Sequence, residues 1–345
     1  MDNRGKKSNV SRKKQNNVIY LLFVLLLVAV MGIVLFLALR KRTPVEAADE
    51  VSVADSTDTG EEKWQEGVIS YNGKRYKFNS NIRTYLYMGI DNDAPVKTAP
   101  DSISGGQSDA LFLLIVDEKK QELSVLAIHR NTMADVDVYD KDGNFQGTYS
   151  LQICLAHGYG DGMRTSCTHS VDAVSRLLYN LPINGYLALN MGGIPALNDA
   201  VGGVTVDVLT DLSYPAKGVT LKQGETVTLT GDEAYVYLRS RDINEYDSAS
   251  VRLSRQIQYI ENFMEKGKSL GMGTAMQAYN SVSDYIVTNI DFASLAEEVL
   301  SCEFDASRMY QIPGEVTMGE TFEEYHVDEE ALYEMIIEIF YEPVE

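Results

Sequence analysis

Val18 to Leu39 is a run of 22 residues without a charge, and no other feature limits the architecture of this chain more. At the helical rise it is about 33 Å long, enough to cross the hydrocarbon layer of a bilayer. Arg4, Lys6, Lys7, Arg12, Lys13 and Lys14 precede it against one acid, Asp2. The positive-inside rule therefore puts residues 1–17 in the cytoplasm as a short tail and everything after Arg42 outside the cell membrane. A cleaved signal peptide is the competing reading. The length of the apolar core and the Arg40-Lys41-Arg42 that follows it, with no small-residue cleavage site close behind, favour an uncleaved single-pass anchor over 18–39.

The exterior part carries 21 basic and 49 acidic residues, a net charge of −28. Such a domain repels nucleic acid, and an anionic lipid or polymer can approach it only where basic residues gather or a divalent cation intervenes. Residues 43–63, rich in Ala, Asp, Glu, Ser and Thr, have no apolar period and read as a flexible tether. Residues 64–81 read as a short hairpin around Asn72-Gly73.

Beyond that, strand-like and helix-like runs alternate. Tyr85–Ile90, Ala110–Val116, Glu122–Ala127, Tyr186–Asn190 and Val204–Val208 have strand length. Ser150–His157, Val171–Tyr179, Ile194–Ala200, Val251–Lys266, Phe292–Ser301 and Glu329–Tyr341 have helical spacing. The pattern predicts an α/β fold, three layers α-β-α around a mixed sheet, over residues 82–270. Residues 271–345 are expected as a helical extension packed on that core.

Within this acidic domain Arg239, Arg241, Arg252 and Arg255 fall in 18 residues. Guanidinium stays charged and its planar fork of donors fits phosphate oxygens, so a phosphate or pyrophosphate ligand is one reading; surface ion pairs are the other. If the first stretch is extended, Arg239 and Arg241 share a face, while Arg252 and Gln256 share a face of the following helix. Arg255 lies about 100° around that helix from Gln256 and reads as solvated. Polar residues also gather at strand ends: Asp91, Asp109, and His129-Arg130-Asn131. Asp91 and Asp109 are the oxygen ligands Mg²⁺ takes beside phosphate, although a lone aspartate is commonly a turn or cap residue. His129 could shuttle a proton or simply hold structure.

Cys154 and Cys167 stand 13 apart around a turn-rich stretch, which in an oxidising exterior predicts a disulfide; zinc held with His157 and His169 is the rival. Cys302 is left as a small buried hydrophobe.

The ordered series of motifs resembles the LytR-CpsA-Psr family of membrane-anchored bacterial cell-wall ligases. It comprises the anchor, a strand ending in G-x-D (Gly89, Asp91), S-D before a strand (Ser108, Asp109), Arg130 after a strand, A-V-G-G-V (Ala200 to Val204), and R-x-R followed by R-x-x-R-Q. The resemblance covers roughly residues 82–270. It implies a phosphotransferase that moves a glycopolymer, such as wall teichoic acid or capsule, from a polyprenyl pyrophosphate carrier onto peptidoglycan through a phosphodiester. It further implies Mg²⁺ or Mn²⁺ on Asp91 and Asp109, and pyrophosphate on Arg130, Arg239, Arg241, Arg252 and Gln256. Asp91, Asp109 and Arg130 would be catalytic, and the polyprenyl tail would lie in an apolar groove between sheet and helices.

Two departures stand out. Gln107 replaces the family's common Arg two before the S-D aspartate, and His129-Arg130-Asn131 replaces P-R-D, so a positive charge and a carboxylate are missing. A hydrolase of the same lipid-linked sugar and a non-catalytic lipid-binding scaffold are the alternatives. The absence of G-x-S-x-G, H-E-x-x-H and a P-loop leaves no other reaction class with a motif.

Overall fold

Six strands form a central sheet whose two faces are both covered by helices. The computed structural model describes residues 68–242 and 244–344. The tail 1–17, the span 18–39, the tether 43–63 and the first residues of the 64–81 hairpin lie outside the described residues. Among the described residues no helix is long and apolar enough to cross a membrane.

The chain opens with a hairpin, β1 (Val68–Tyr71) and β2 (Lys74–Phe78), closed by Asn72-Gly73 with both φ angles positive. Then come β3 (Ile82–Ile90), β4 (Ser108–Asp117) and β5 (Glu122–Ile128), three consecutive antiparallel neighbours. A two-stranded arm of β6 (Met133–Tyr139) and β7 (Phe145–Gln152) follows, leading through a 3₁₀ turn into α1 (Arg164–Leu177). Next are β8 (Gly185–Asn190) and α2 (Ile194–Ala200), then the short strands β9 (Thr205–Asp207), β10 (Leu212–Tyr214), β11 (Val219–Leu221) and β12 (Thr226–Thr228). They precede α3 (Gly231–Arg239) and α4 (Ser248–Ser281), which breaks at Gly271 where φ is +73°. The chain ends with β13 (Ile286–Thr288), α5 (Phe292–Ser301), β14 (Glu303–Gln311), β15 (Gly314–Met318), β16 (Glu323–Val327), α6 (Glu329–Phe340) and β17 (Tyr341–Val344).

The sheet order is β13-β8-β3-β4-β5-β14, with β3/β8 and β5/β14 parallel and the other pairs antiparallel. Alternation along each strand splits the core. Leu111, Leu113 and Ile115 of β4 face α1 and α6, while Phe112, Leu114 and Val116 face α4 and α5. This is the expected mixed sheet between helical layers. A smaller cluster of β9 to β12, α2 and α3 packs on α4 through Val206, Val236, Tyr237 and Tyr259.

Local signals account for several boundaries. Thr230 and Glu233 make a reciprocal capping box on α3, and Asp291 and Asp328 cap α5 and α6. Gly203 (φ +77°) is required where α2 ends, since a Cβ there would meet the Leu229 carbonyl at 2.6 Å.

Residues 271–345 are not the helical extension expected. β13 and β14 form the two edges of the central sheet, and β17 pairs with β2 of the N-terminal hairpin. Ser150–His157 is not a helix either: β7 continues to Gln152 before the 3₁₀ turn. A short apolar run of that kind fits either period.

Candidate active site

Strand register brings three separated motifs together. Gly89 faces Ala110 and Leu111 faces Ile128, so the end of β3, the start of β4 and the end of β5 lie together along one rim of the sheet, where these inner strands end. Asp91, Asp109 and Arg130 stand at that rim, and the first turns of α4 bring Arg252 to it.

Asp109 lies between two guanidiniums. Arg252 Nη1 donates to its Oδ2 at 2.8 Å, and Arg130 Nε stands 3.1 Å from its Oδ1 without the angle of a hydrogen bond. The three side chains are only 4–12% exposed, so their interaction is weakly screened. One carboxylate cannot neutralise two guanidiniums, and the buried Arg252 Nη2, Arg130 Nε and Asp109 Oδ1 have no hydrogen-bond partner among the described residues. Such buried polar atoms leave donors and an acceptor free for a ligand or water. Burial, the largest influence, pushes the Arg252 guanidinium below its ordinary range, and the neighbouring Arg130 and Arg241 act in the same direction. An anion there relieves both.

Arg239 ends α3, so it and Arg241 are not two residues of one extended stretch as expected. The Arg239 guanidinium lies 5.6 Å above the Tyr235 ring, its Nη2 is 3.7 Å from Asp91 Oδ1, and its Nε reaches Met191 Sδ at 3.1 Å. Tyr235 in turn donates to Asp93 Oδ1 at 2.7 Å. Arg241 is half-buried after α3 and close enough to lower the pKa of both Arg252 and His129.

Arg255 was expected to be solvated, yet it is 1% exposed. Its Nη2 donates to the Ser240 carbonyl and its guanidinium sits 5.7 Å from the Tyr237 ring, which fixes the turn between Arg239 and Arg241. Gln256 does the same from one residue on, donating to the Leu238 carbonyl at 3.1 Å. Nothing in the spacing flags Arg255; the aromatic it meets comes from another helix.

Gln107 accepts from Arg130 Nη2 at 2.5 Å, so this side chain orients Arg130. The Asn131 backbone N–H donates to His129 Nδ1 at 3.2 Å, which leaves the ring proton on Nε2, 3.3 Å from Ser250 Oγ. Buried and stacked on Tyr325, His129 is pushed down to about 4 by desolvation. It is a neutral structural residue.

The predicted disulfide is not formed. Cys154 and Cys167 are buried free thiols, and each has a different neighbour. Cys154 Sγ lies 3.0 Å from Arg130 Nη2, and Cys167 Sγ lies 3.9 Å from His157 Nε2. The four zinc candidates do not converge, because His169 turns instead to the Tyr159 carbonyl and the Tyr139 ring. Cys302 is buried, as expected.

From the charged rim an apolar groove of about 380 Å³ runs between the sheet face and helices α4 and α5. Asp109, Arg239, Arg252 and Gln256 line it beside Phe112, Leu114 and Val125 of the sheet and Ile260, Phe263 and Leu295 of the helices. Among the described residues no group of three or more His, Cys, Asp or Glu gathers as a metal site; the hard oxygens near this end of the groove are those of Asp91, half-exposed with one distant ion pair, and Asp109 Oδ1, which lacks a hydrogen bond.

The family model LytR_cpsA_psr matches residues 45–339. A curated relative, the polyisoprenyl-teichoic acid–peptidoglycan teichoic acid transferase TagU of Enterococcus faecalis, is 26% identical over 266 residues, 75% of this chain and 80% of that protein. The protein of the same name from Halalkalibacterium halodurans is 28% identical over 193 residues, 56% of this chain and 58% of its own length. Among solved structures, gbs0355 from Streptococcus agalactiae superposes with a TM-score of 0.62 at 22% identity over 75% of this chain and 87% of that chain. TagV from B. subtilis gives 0.58 at 22% identity over 75% and 96%, a likeness of fold.

Proposed function

Because this chain belongs to the LytR_cpsA_psr family, we propose that it is a membrane-anchored, extracytoplasmic phosphotransferase. It would move a glycopolymer from a polyprenyl pyrophosphate carrier to peptidoglycan, forming a phosphodiester. One observation carries this reading: the apolar groove is lined at one end by Asp109, Arg239 and Arg252, an apolar slot with a cationic head. Relatives named as polyisoprenyl-teichoic acid–peptidoglycan teichoic acid transferases support the substrate class.

In this reading an acceptor hydroxyl oxygen attacks the sugar-bearing phosphorus. The P–O bond to the carrier phosphate breaks, and polyprenyl phosphate leaves. Phosphoryl transfer needs positioning and charge neutralisation more than a covalent nucleophile. Arg130 and Arg252 hold the pyrophosphate oxygens, with their mutual repulsion already partly compensated by Asp109. Arg239 and Arg241 complete the cationic wall, and Arg255 with Gln256 fixes the turn that presents them. Mg²⁺ or Mn²⁺ on Asp91 and Asp109 would supply further charge neutralisation at the phosphate oxygens. Of the two carboxylates Asp91 is the freer to take the hydroxyl proton, since Asp109 is occupied by two guanidiniums.

The test is to combine the protein with a polyprenyl pyrophosphate-linked sugar and a peptidoglycan oligomer, with and without Mg²⁺, and to look for joined product by mass spectrometry. Metal-dependent product that is lost in Arg252→Ala supports the transferase. Free phosphorylated sugar identifies a hydrolase, and bound, unchanged lipid identifies a scaffold.

A further inference from the structure

We propose that the kinked segment Lys266–Gly273 of α4 is the face through which this domain rests on an anionic bilayer, so that the groove opens directly onto the membrane. The proposal rests on the lipid-carrier reading above and adds where the lipid enters. Leu270 and Met272 are 38% and 36% exposed on either side of Gly271, whose φ of +73° breaks the helix. Around Gly267, Gly271 and Gly273 an added Cβ would meet nothing within 4 Å, so the backbone itself is open there.

The same segment belongs to the groove. Gly267, Lys268, Leu270 and Thr274 line the cavity whose other end holds Arg252. Arg252 and Lys268 are 16 residues apart on one helix, about 24 Å at the helical rise. A chain bound with its pyrophosphate at Arg252 therefore emerges at Leu270, two residues from the exposed Met272.

Charge selects the occupant. From Lys266 to Ser283 there are 18 residues with two lysines and no acid, in an exterior domain of net charge −28; Lys266 donates to the Gly202 and Gly203 carbonyls, which leaves Lys268 as the lysine of this segment that faces the groove. An anionic lipid surface is repelled by most of this acidic exterior, and another acid-free stretch, 68–90 with Lys74, Arg75, Lys77 and Arg83, does not bring its basic residues to the groove. Two exposed apolar side chains beside a lysine, at the open end of an apolar groove, match the interfacial layer of such a membrane.

The experiment uses the full chain reconstituted into vesicles of phosphatidylcholine with phosphatidylglycerol, and of phosphatidylcholine alone. The native cysteines are buried, so Leu270→Cys, Met272→Cys and, as control, the exposed Phe145→Cys on the β6–β7 arm each take one environment-sensitive fluorophore. Lipids brominated in their acyl chains should quench emission at 270 and 272, more strongly with phosphatidylglycerol, and leave 145 bright. Transfer by a Met272→Asp protein should fall about tenfold from a vesicle-borne carrier and stay unchanged from a short-chain, water-soluble one. Emission at 270 as unquenched as at 145 overturns the proposal. Quenching retained in a protein that transfers from neither carrier upholds the docking face while the transferase reading falls.

Discussion

Arg252 Nη1 and Asp109 Oδ2 meet at 2.8 Å across the groove mouth, joining the first turns of α4 to the start of β4. This bond fixes the distance between the helix wall and the sheet wall of the groove. It also leaves Arg252 Nη2 buried without a partner. The same guanidinium thus serves the fold with one nitrogen and a ligand with the other.

Removing it should separate the two roles. Arg252→Ala should lower transfer by about 10²–10³-fold, the loss typical of a charge-stabilising donor. Its stability cost should be about 2 kcal/mol, because Asp109 keeps Arg130 as a partner, less than the roughly 3–5 kcal/mol of stranding a buried charge altogether. Arg252→Lys should recover most of the stability and little of the rate, since an ammonium cannot serve two acceptors in one plane. Urea unfolding and product formation, measured on the same preparations, check both; wild-type rates in Arg252→Ala would remove the residue from the site.

Acid should unfold the domain through its buried histidines. Desolvation, the first cause for each, holds His129 and His157 at about 4 in the fold, against about 6.5 in an unfolded chain. The unfolded chain therefore binds protons first as pH falls, so the stability these imidazoles allow is complete above 6.5 and drains between 6.5 and 4. Each contributes up to about 3 kcal/mol over that window. Urea midpoints at pH 7.5 and pH 5 should differ clearly in the wild type. His129→Gln should cut that difference by about half; an unchanged slope in this variant would show that another group is responsible.

Arg255 should behave as a positioning residue. Arg255→Ala removes the donor to the Ser240 carbonyl and the cation over Tyr237, so the turn bearing Arg239 and Arg241 should loosen. A stability loss of about 2–4 kcal/mol is expected, in the range for a broken buried polar contact. KM for the lipid-linked substrate should rise more than kcat falls, and Arg255→Lys should restore part of the stability. A variant with normal KM and lowered kcat would instead place Arg255 on the reacting phosphate.

What the sequence showed of this molecule follows from how local the signals are. Ile194–Ala200 and Phe292–Ser301 match their helices end to end, because their apolar spacing is local and a Pro at the start of the first and the Asp291 cap before the second mark where they begin. The sheet order was legible only as alternation, and β13 and β14 were missed because edge strands of three residues and of mixed polarity carry almost no period. The site residues were legible as an ordered motif series. What each one touches was not: Cys154 against Arg130, Gln107 holding Arg130 and Arg255 under Ser240 are contacts between distant segments, invisible to spacing.

Metal binding should depend on both carboxylates. Mn²⁺, followed by its paramagnetic resonance, should bind Asp91→Asn and Asp109→Asn at least about tenfold more weakly than wild type. Chelation should stop transfer, and Mg²⁺ should restore it. The two variants should differ in stability: Asp91 is half-exposed with one distant pair, so its loss should change little, whereas Asp109→Asn leaves Arg130 and Arg252 facing each other without a counter-charge. Equal Mn²⁺ affinity in all three proteins would remove the metal from this pair.

Filling the groove tests whether it holds the lipid. Ile260 lines it from α4 on the path between Arg252 and Lys268 and is only partly buried. Ile260→Trp places an indole inside a cavity of about 380 Å³ without touching any arginine. The protein should lose no more than about 1 kcal/mol of stability, because the added bulk enters existing space instead of packed core. Affinity for a long-chain polyprenyl phosphate should fall by tenfold or more, about 1.4 kcal/mol. A short-chain analogue that reaches only from the arginines to Phe112 should bind as before. If long and short chains weaken together, the indole has disturbed the head site; if neither weakens, the isoprenoid runs outside the groove. Only a length-dependent loss is what a slot with a cationic head and an open far end produces.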